Sequence, residues 1–351
     1  YRSTWGWRKN WKNGHNKMNR IRLIVSYFLL LSFAFPVDKA GTMAAKFLSA
    51  RIGPKAVAMG GAFTAIANDG SAMYWNPAGI GYNRIRNIYV NHSDWIADIS
   101  FDYFSISVPL KNSHVLGINI TSVTMGEMEV TRYGNEDTGE TFSASDHAFG
   151  ITYAMNLTDR FSVGFNGKYI QEKIANNHAK GWALDLGTLF ETPYGFRLGT
   201  SISNFGPKMR MTGDDLLVAV DIDESIHGNN ESVTGYLATD QFDLPLILRV
   251  GISDDIKFGQ VARITWALDA NSPNDNASYI NAGFEIGLLG DLFTLRGGVN
   301  SLFLVDKEQE FALGFGVKAP GLIKQQLHIN YCFEALTHLG DTHQLSLEII
   351  Y

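Results

Sequence analysis

Cysteine is almost absent: Cys332 is the one thiol in 351 residues. No intrachain disulfide can form, and no cysteine follows the early apolar run, where a lipid anchor would need one. Cys332 reads as a small residue filling a strand position. Charge is sparse, at 18% Asp, Glu, Lys and Arg, and mean hydropathy is close to zero at −0.05. The one continuous apolar stretch, residues 23–35, is too short for a membrane-spanning helix, which needs about 20 residues. Motifs of nucleophilic, phosphate or zinc chemistry (G-x-S-x-G, Walker A, H-E-x-x-H, C-x-x-C) are also missing. The nine histidines are scattered, and His338 and His343, five apart across an expected turn, read as structural. The sequence therefore predicts no catalytic residue, no metal site and no cofactor.

The early apolar run has a different use. The first Met is Met18, followed by Arg20 and Arg22 and then by Leu23–Phe35. A basic start, an apolar core and small residues after it make a signal-peptide layout over residues 18–34. Cleavage is expected near Ala34, with Ala40 as the second candidate. Residues 1–17 read as an upstream, non-native extension. Removing residues 1–34 takes away seven of the 29 Lys and Arg and no acid. That leaves 22 bases against 35 acids, a net charge of −13. So acidic a chain argues against nucleic acid as a partner, and no polybasic patch for anionic lipid is present.

Glycine and aromatics are abundant: 35 Gly, 22 Phe and 14 Tyr. Most of the chain alternates with period two, as half-buried strands do. Phe149, Ile151, Tyr153 and Met155 alternate with Ala148, Gly150, Thr152 and Ala154. Phe311, Leu313, Phe315 and Val317 alternate with Ala312, Gly314 and Gly316. A soluble sandwich is the alternative, but its polar face meets water and gains nothing from glycine. A transmembrane barrel with a filled lumen needs an inner face that is both polar and slim. The pattern predicts an all-β fold, a single antiparallel barrel of about 14 strands. They are expected at 86–92, 97–109, 114–124, 145–157, 160–174, 180–192, 195–204, 244–254, 259–270, 277–289, 292–301, 309–318, 325–335 and 342–351. Short turns such as 157–159 and 289–291 would face the periplasm and longer links the exterior.

The longest link, about 205–243, carries Asp214, Asp215, Asp221, Asp223, Glu224 and Glu231. It reads as a solvated acidic loop, since the spacing matches no EF-hand. Leu216, Leu217, Val218, Val220 and Ile222 form an apolar patch there, a protein-binding surface or a hairpin extension. In the last strand Leu347, Ile349 and Tyr351 share one face, which resembles a C-terminal assembly signal for barrel assembly machinery. The last strand must pair with the first to remove both edges.

Residues 53–81, GPKAVAMGGAFTAIANDGSAMYWNPAGIG, break this alternation. Gly60-Gly61 permits backbone angles closed to other residues. Asn76-Pro77 ends any helix. The small residues allow close packing. A plug of short helical turns is expected over 41–84, inside a barrel of 85–351. Inward ionisable residues (Asp185, Arg249, Arg263, Asp269, Glu285, Arg296, His328, Glu334 and Glu348) make either a salt-bridge lattice fixing the plug or a transport lining. Arg249, Glu285 and Arg296 are the expected lumen charges contacting the plug, near Asp69 and Asn76. Gly297-Gly298 and Gly314–Gly316 either kink the wall or make room for the plug.

The stretch from Ala58-Met59-Gly60-Gly61-Ala62-Phe63-Thr64-Ala65 through Asp69 to Asn76-Pro77-Ala78-Gly79 resembles the N-terminal signature of the PorV/PorQ family. That family lies within the FadL-like group of outer-membrane barrels, which includes FadL and TodX. Leu244-Pro245 with Arg249-Val250-Gly251, Gly283-Phe284-Glu285 with Leu295-Arg296-Gly297-Gly298, Phe311–Val317 and Ile329–Tyr331 resemble its later strands. The resemblance implies an outer-membrane location and a plugged barrel. Its secretion branch implies type IX-like secretion, with secretion-system proteins or secreted cargo as partners. The FadL branch implies a channel for long-chain fatty acids or other hydrophobic solutes. Either implies contact with outer-membrane lipid.

Overall fold

The computed structural model describes residues 41–351, apart from 85, 96–98, 112, 135–137, 222–224, 226–232, 260, 305–306 and 321–324. The expected signal peptide over 18–34, its candidate cleavage sites Ala34 and Ala40, and the expected 1–17 extension lie outside the described residues. So do Ile222, Asp223, Glu224 and Glu231 of the long loop.

Fourteen strands make the wall. In chain order they are β1 (Asn87–Asp94), β2 (Ser100–Pro109), β3 (His114–Thr124), β4 (Ala144–Thr158), β5 (Phe161–Ile174), β6 (Asn177–Glu191), β7 (Arg197–Phe205), β8 (Ile247–Phe258), β9 (Ala262–Pro273), β10 (Tyr279–Leu288), β11 (Phe293–Leu302), β12 (Gln309–Pro320), β13 (Gln326–Leu336) and β14 (Thr342–Ile350). Neighbours in sequence pair antiparallel, and β1 pairs with β14 from Asn87↔Ile350 to Asp94↔His343. That last pairing removes both sheet edges, which a spanning sheet requires.

Burial alternates along each strand. On β14, Thr342, Gln344, Ser346 and Glu348 are buried while Leu345 and Leu347 are exposed. Ile151 and Trp182 stand 66% and 60% exposed on the outer face. The apolar side of the sheet thus faces outward, as lipid requires, and the polar side faces the lumen.

The lumen is filled by the chain that precedes β1. A 3₁₀ turn, Lys46–Ser49, leads to α1 (Pro54–Ala58), α2 (Ala72–Trp75) and α3 (Ala78–Asn83). Ile52, Met59, Phe63 and Trp75 are almost fully buried and form the main apolar core with inward wall residues such as Tyr89 and Tyr103, while Met73 and Ile80 form a smaller one with Val115 and Ala154. This plug enters near the end with the longer connections, where Ala45 N–H donates to Glu172 at 2.8 Å. It leaves near the short-turn end, where Ser162 Oγ donates to the carbonyl of Ala78 at 3.0 Å.

Glycines slim the wall where plug backbone runs against it. A Cβ at Gly283 would overlap the carbonyl of Met59, and one at Gly298 the backbone of Met59 and Gly60. Gly164 and Gly187 face Pro77 and Asn76 in the same way. Gly297 instead turns outward against Phe284, so the Gly297-Gly298 pair makes room for the plug with one residue only.

Three differences from the sequence expectation have local causes. Strand β8 begins at Ile247 rather than 244, because Pro245 has no N–H for a ladder. Strand β6 begins at Asn177 rather than 180, since Ala175 (φ 49°) makes a tight turn after β5. The 205–243 link is not one irregular loop. Asn204 (φ 66°) is the extra residue of a bulge opposite Asp185, and β7 leaves the wall after Phe205. The segment Met209–Gly213 then rejoins β6 at Met211↔Ala179. Leu217–Val220 pairs with Val233–Tyr236 as a hairpin, so the apolar patch is a hairpin extension. Asp215 accepts hydrogen bonds from the Asn176 backbone and amide, at 3.0 and 2.9 Å, which lower its pKa and tie the loop to the β5–β6 turn.

The glycine contacts give a direct check. Overpacking costs about 1–3 kcal/mol, and more where the colliding atoms are backbone. Gly298→Val is expected to lower the melting temperature in detergent and weaken the heat-resistant compact band on gels. Gly167→Ala, whose Cβ meets nothing within 4 Å, is expected to leave both unchanged.

Candidate functional site: the plug and its anchors

Two consecutive backbone N–H groups of the plug, Phe63 and Thr64, point at one wall carboxylate. Both donate to Asp269 Oδ2, at 2.9 and 2.8 Å. They follow Gly60 (φ 66°) and Gly61 (φ 79°), whose left-handed angles turn the chain out of α1. A second carboxylate repeats the device: Gly70 N–H donates to Glu348 Oε1 at 3.0 Å. The carbonyl of Gly70 accepts from Ser105 Oγ at 2.8 Å. Buried backbone polar groups outside helices and sheets need such partners.

Asp69 closes its own turn. Its Oδ1 accepts from Ser71 N–H at 2.9 Å and Ser71 Oγ at 2.6 Å. Burial, with the Glu348 charge added, pushes its carboxyl up to about 6. Asn76 bridges plug and wall: its amide donates to the carbonyls of Thr64 at 2.8 Å and Thr188 at 3.0 Å, and its Oδ1 accepts from Ala78 N–H at 3.2 Å. Pro77 then starts α3 with its fixed φ, here −60°. Gly79 is small because the carbonyl of Ala67 lies where its Cβ would be.

The three expected lumen charges occupy two places. Glu285 is a hub that accepts from Arg296 Nε at 2.5 Å and Arg263 Nη2 at 2.6 Å, and it lies 3.8 Å from Lys55 of α1. Lys55 also donates to Asn68 at 2.8 Å, and burial lowers its pKa against the pull of Glu285. Arg249 stands apart, its guanidinium 5.3 Å above the ring of Trp75 and one nitrogen on Ser203 Oγ at 2.9 Å. Asp69 and Asn76 are held by the groups already named instead. Asp185 pairs with Lys168 at 2.9 Å and accepts Asn204 N–H at 2.7 Å, which locks the bulge.

Sequence reading did not single out Asp269 or Glu348 as plug anchors. It also had no signal for Arg51–Glu334 (2.5 Å) or Lys46–Asp275, which hold the entry of the plug. Alternation marks a carboxylate as inward. It does not say which one reaches a backbone N–H across the lumen.

Two cavities border the plug among the described residues. One, about 320 Å³, lies at the short-turn end and is charged, lined by Lys55, Asp69, Glu285, Arg296, His328 and Glu348 among others. The other, about 350 Å³, lies at the loop end under the plug's entry, and the two share no lining residue. Among the described residues no cluster of three or more His, Cys, Asp or Glu is arranged to hold a metal ion. His343 meets Tyr331 at 2.7 Å, His338 faces Glu308 at 3.3 Å, and Cys332 is buried. Leu347 and Tyr351 are exposed on the outer face, where the C-terminal strand closes the barrel.

The sequence profile described as "Type IX secretion system protein PorV" matches residues 34–216. No protein of curated function matches the chain. Among solved structures, the toluene transporter TodX of Pseudomonas putida superposes with a TM-score of 0.53 at 12% identity, covering 85% of this chain and 97% of its own. The CymD monoaromatic hydrocarbon channel gives 0.54 at 12%, covering 85% and 96%. A Pseudomonas aeruginosa FadL homologue gives 0.50 at 12%, covering 90% and 99%. At such identities the likeness is one of fold.

The anchors differ in what their loss leaves behind. Glu285→Leu takes the carboxylate from Arg296 and Lys55, while Arg263 keeps Asp291 at 3.0 Å, and breaking a buried pair this way costs about 3–5 kcal/mol. Arg296→Leu leaves Glu285 two cations and is expected to cost less. Asp269→Leu orphans two N–H groups, at about 1–3 kcal/mol each. Melting in detergent and protease resistance of residues 41–84 should rank Glu285→Leu as more damaging than Arg296→Leu. Unchanged values for all three would show that these groups do not hold the plug.

Proposed function

The chain belongs to the family of the type IX secretion system protein PorV, and from that premise we propose that it is an outer-membrane barrel serving as a protein-binding component of a type IX-like system, receiving cargo at the outer membrane. The observation that carries this reading is the fixed plug. Its backbone is tied to Asp269 and Glu348, and its side chains to the Thr188 carbonyl and to Glu285, Glu334 and Asp275. A lumen closed by bonds from so many strands suits a binding platform better than a conduit. The cavity at the short-turn end is charged, which disfavours passage of an apolar solute. The longer connections gather at the opposite end and offer apolar side chains such as Val220, Tyr236 and Leu237 to a partner.

In this reading residues 18–34 direct export, and Leu347, Ile349 and Tyr351 present the last strand to barrel assembly machinery. The outward apolar belt contacts outer-membrane lipid. A second reading, a channel for long-chain fatty acids or other hydrophobic solutes, draws support from two observations. The loop-end cavity has apolar walls, and the wall is broken where β7 leaves β6.

Affinity purification of the tagged protein from mild-detergent outer-membrane extracts, with mass spectrometry, separates the two. Co-purification of a large barrel partner and of secreted proteins sharing a C-terminal domain is the expected result. A protein recovered alone with bound fatty acid would overturn it in favour of the solute channel.

A further inference from the structure

Two carboxylates meet at the middle turn of the plug. Glu348 of β14 accepts Gly70 N–H at 3.0 Å, and Asp69, the residue before Gly70, holds the N–H of Ser71 at 2.9 Å. Both line the charged cavity at the short-turn end, and the Glu348 charge is felt at Asp69. The two are unequally provided for. Glu348 also has Asn87 Nδ2 at 2.5 Å and the His328 ring on β13, 3.4 Å away. Asp69 uses one oxygen only: Oδ1 takes both donors of Ser71, and Oδ2 is buried without a partner among the described residues. Lys55 of α1 attracts Asp69 but sits 3.8 Å from Glu285 and donates to Asn68. From β1 and β2, Tyr89 and Tyr103 face Asp69 with neutral phenols.

A carboxylate oxygen shut off from water and left unpaired is costly while charged and much less so once protonated. Burial, then Glu348, push the Asp69 carboxyl from an ordinary 3.8 up to about 6. A turn that swings away from the wall returns Asp69 to water and to its ordinary value. The docked turn therefore holds the proton more tightly than the released one, and acid favours docking. The cost of the charge grows as pH rises from about 4 and is complete above about 6.

We infer that Asp69 is a proton-operated latch on the plug: with its proton the turn of residues 68–71 is locked against β14, and without it the turn loosens toward the short-turn cavity. The latch governs this turn rather than the whole plug, since Lys55, Asn76 and the carbonyl of Ala78 hold the flanking segments through other groups. It operates whatever the barrel binds or carries.

The test uses the full protein in lipid nanodiscs and hydrogen–deuterium exchange of the peptide covering residues 66–75, with each rate divided by the intrinsic rate at its pH. Protection is expected to fall about tenfold between pH 5 and pH 8, most of it below pH 7. Peptides covering residues 78–83 should show no such fall. Asp69→Asn, which has no charge and keeps an acceptor for Ser71, should stay protected across the range. Glu348→Gln, which removes the repelling charge and keeps an acceptor for Gly70, should move the fall to lower pH. Melting at pH 5 confirms that each variant is folded. Protection of residues 66–75 that is flat or rises from pH 5 to pH 8, or that falls equally in Asp69→Asn, would overturn the inference. If Asp69→Asn does not fold, Glu348→Gln decides: a fall at an unchanged pH overturns the latch, and a fall displaced to lower pH supports it.

Discussion

Asp269 receiving the N–H groups of Phe63 and Thr64 is the interaction on which the rest of the architecture turns. A barrel in lipid has its apolar face outward, so its inner face is polar by default. A chain segment packed inside it cannot pair its backbone with the wall's ladder, because the wall strands have spent their N–H and C=O groups on each other. Side chains must supply the missing partners. Asp269 and Glu348 accept from plug N–H groups, Asn76 donates to a wall carbonyl, and Ser105 and Ser162 donate to plug carbonyls. Apolar burial packs the plug into the lumen, and this set of hydrogen bonds fixes where its backbone sits against the wall.

The same constraint explains the wall's glycines. Hydrogen bonds of about 2.8–3.0 Å from wall side chain to plug backbone bring the two backbones close at neighbouring positions. At Gly283, Gly298, Gly164 and Gly187 no Cβ has room. Polar inward residues and inward glycines are two parts of one solution: the first reach the plug, the second let it approach.

The ends of the barrel differ for related reasons. At the short-turn end, acids and bases are matched around Glu285. At the loop end the plug's entry is held by two separate pairs, Lys46 with Asp275 and Arg51 with Glu334.

The sequence by itself determined the barrel. Side chains on a strand point alternately to two faces whatever the strand packs against, so fourteen segments, their inward residues and the pairing of Leu345 and Leu347 with lipid were legible from period two alone. Gly60-Gly61 and Asn76-Pro77 announced the plug because their backbone limits are local. Only the tertiary structure decided that Asp269 rather than Arg249 grips the plug backbone, and that Asn204 bulges and turns β7 out of the wall at Phe205. Those outcomes depend on which inward side chains lie opposite one another across the lumen. Strand stagger and closure set that distance, and no pattern along a single strand encodes it.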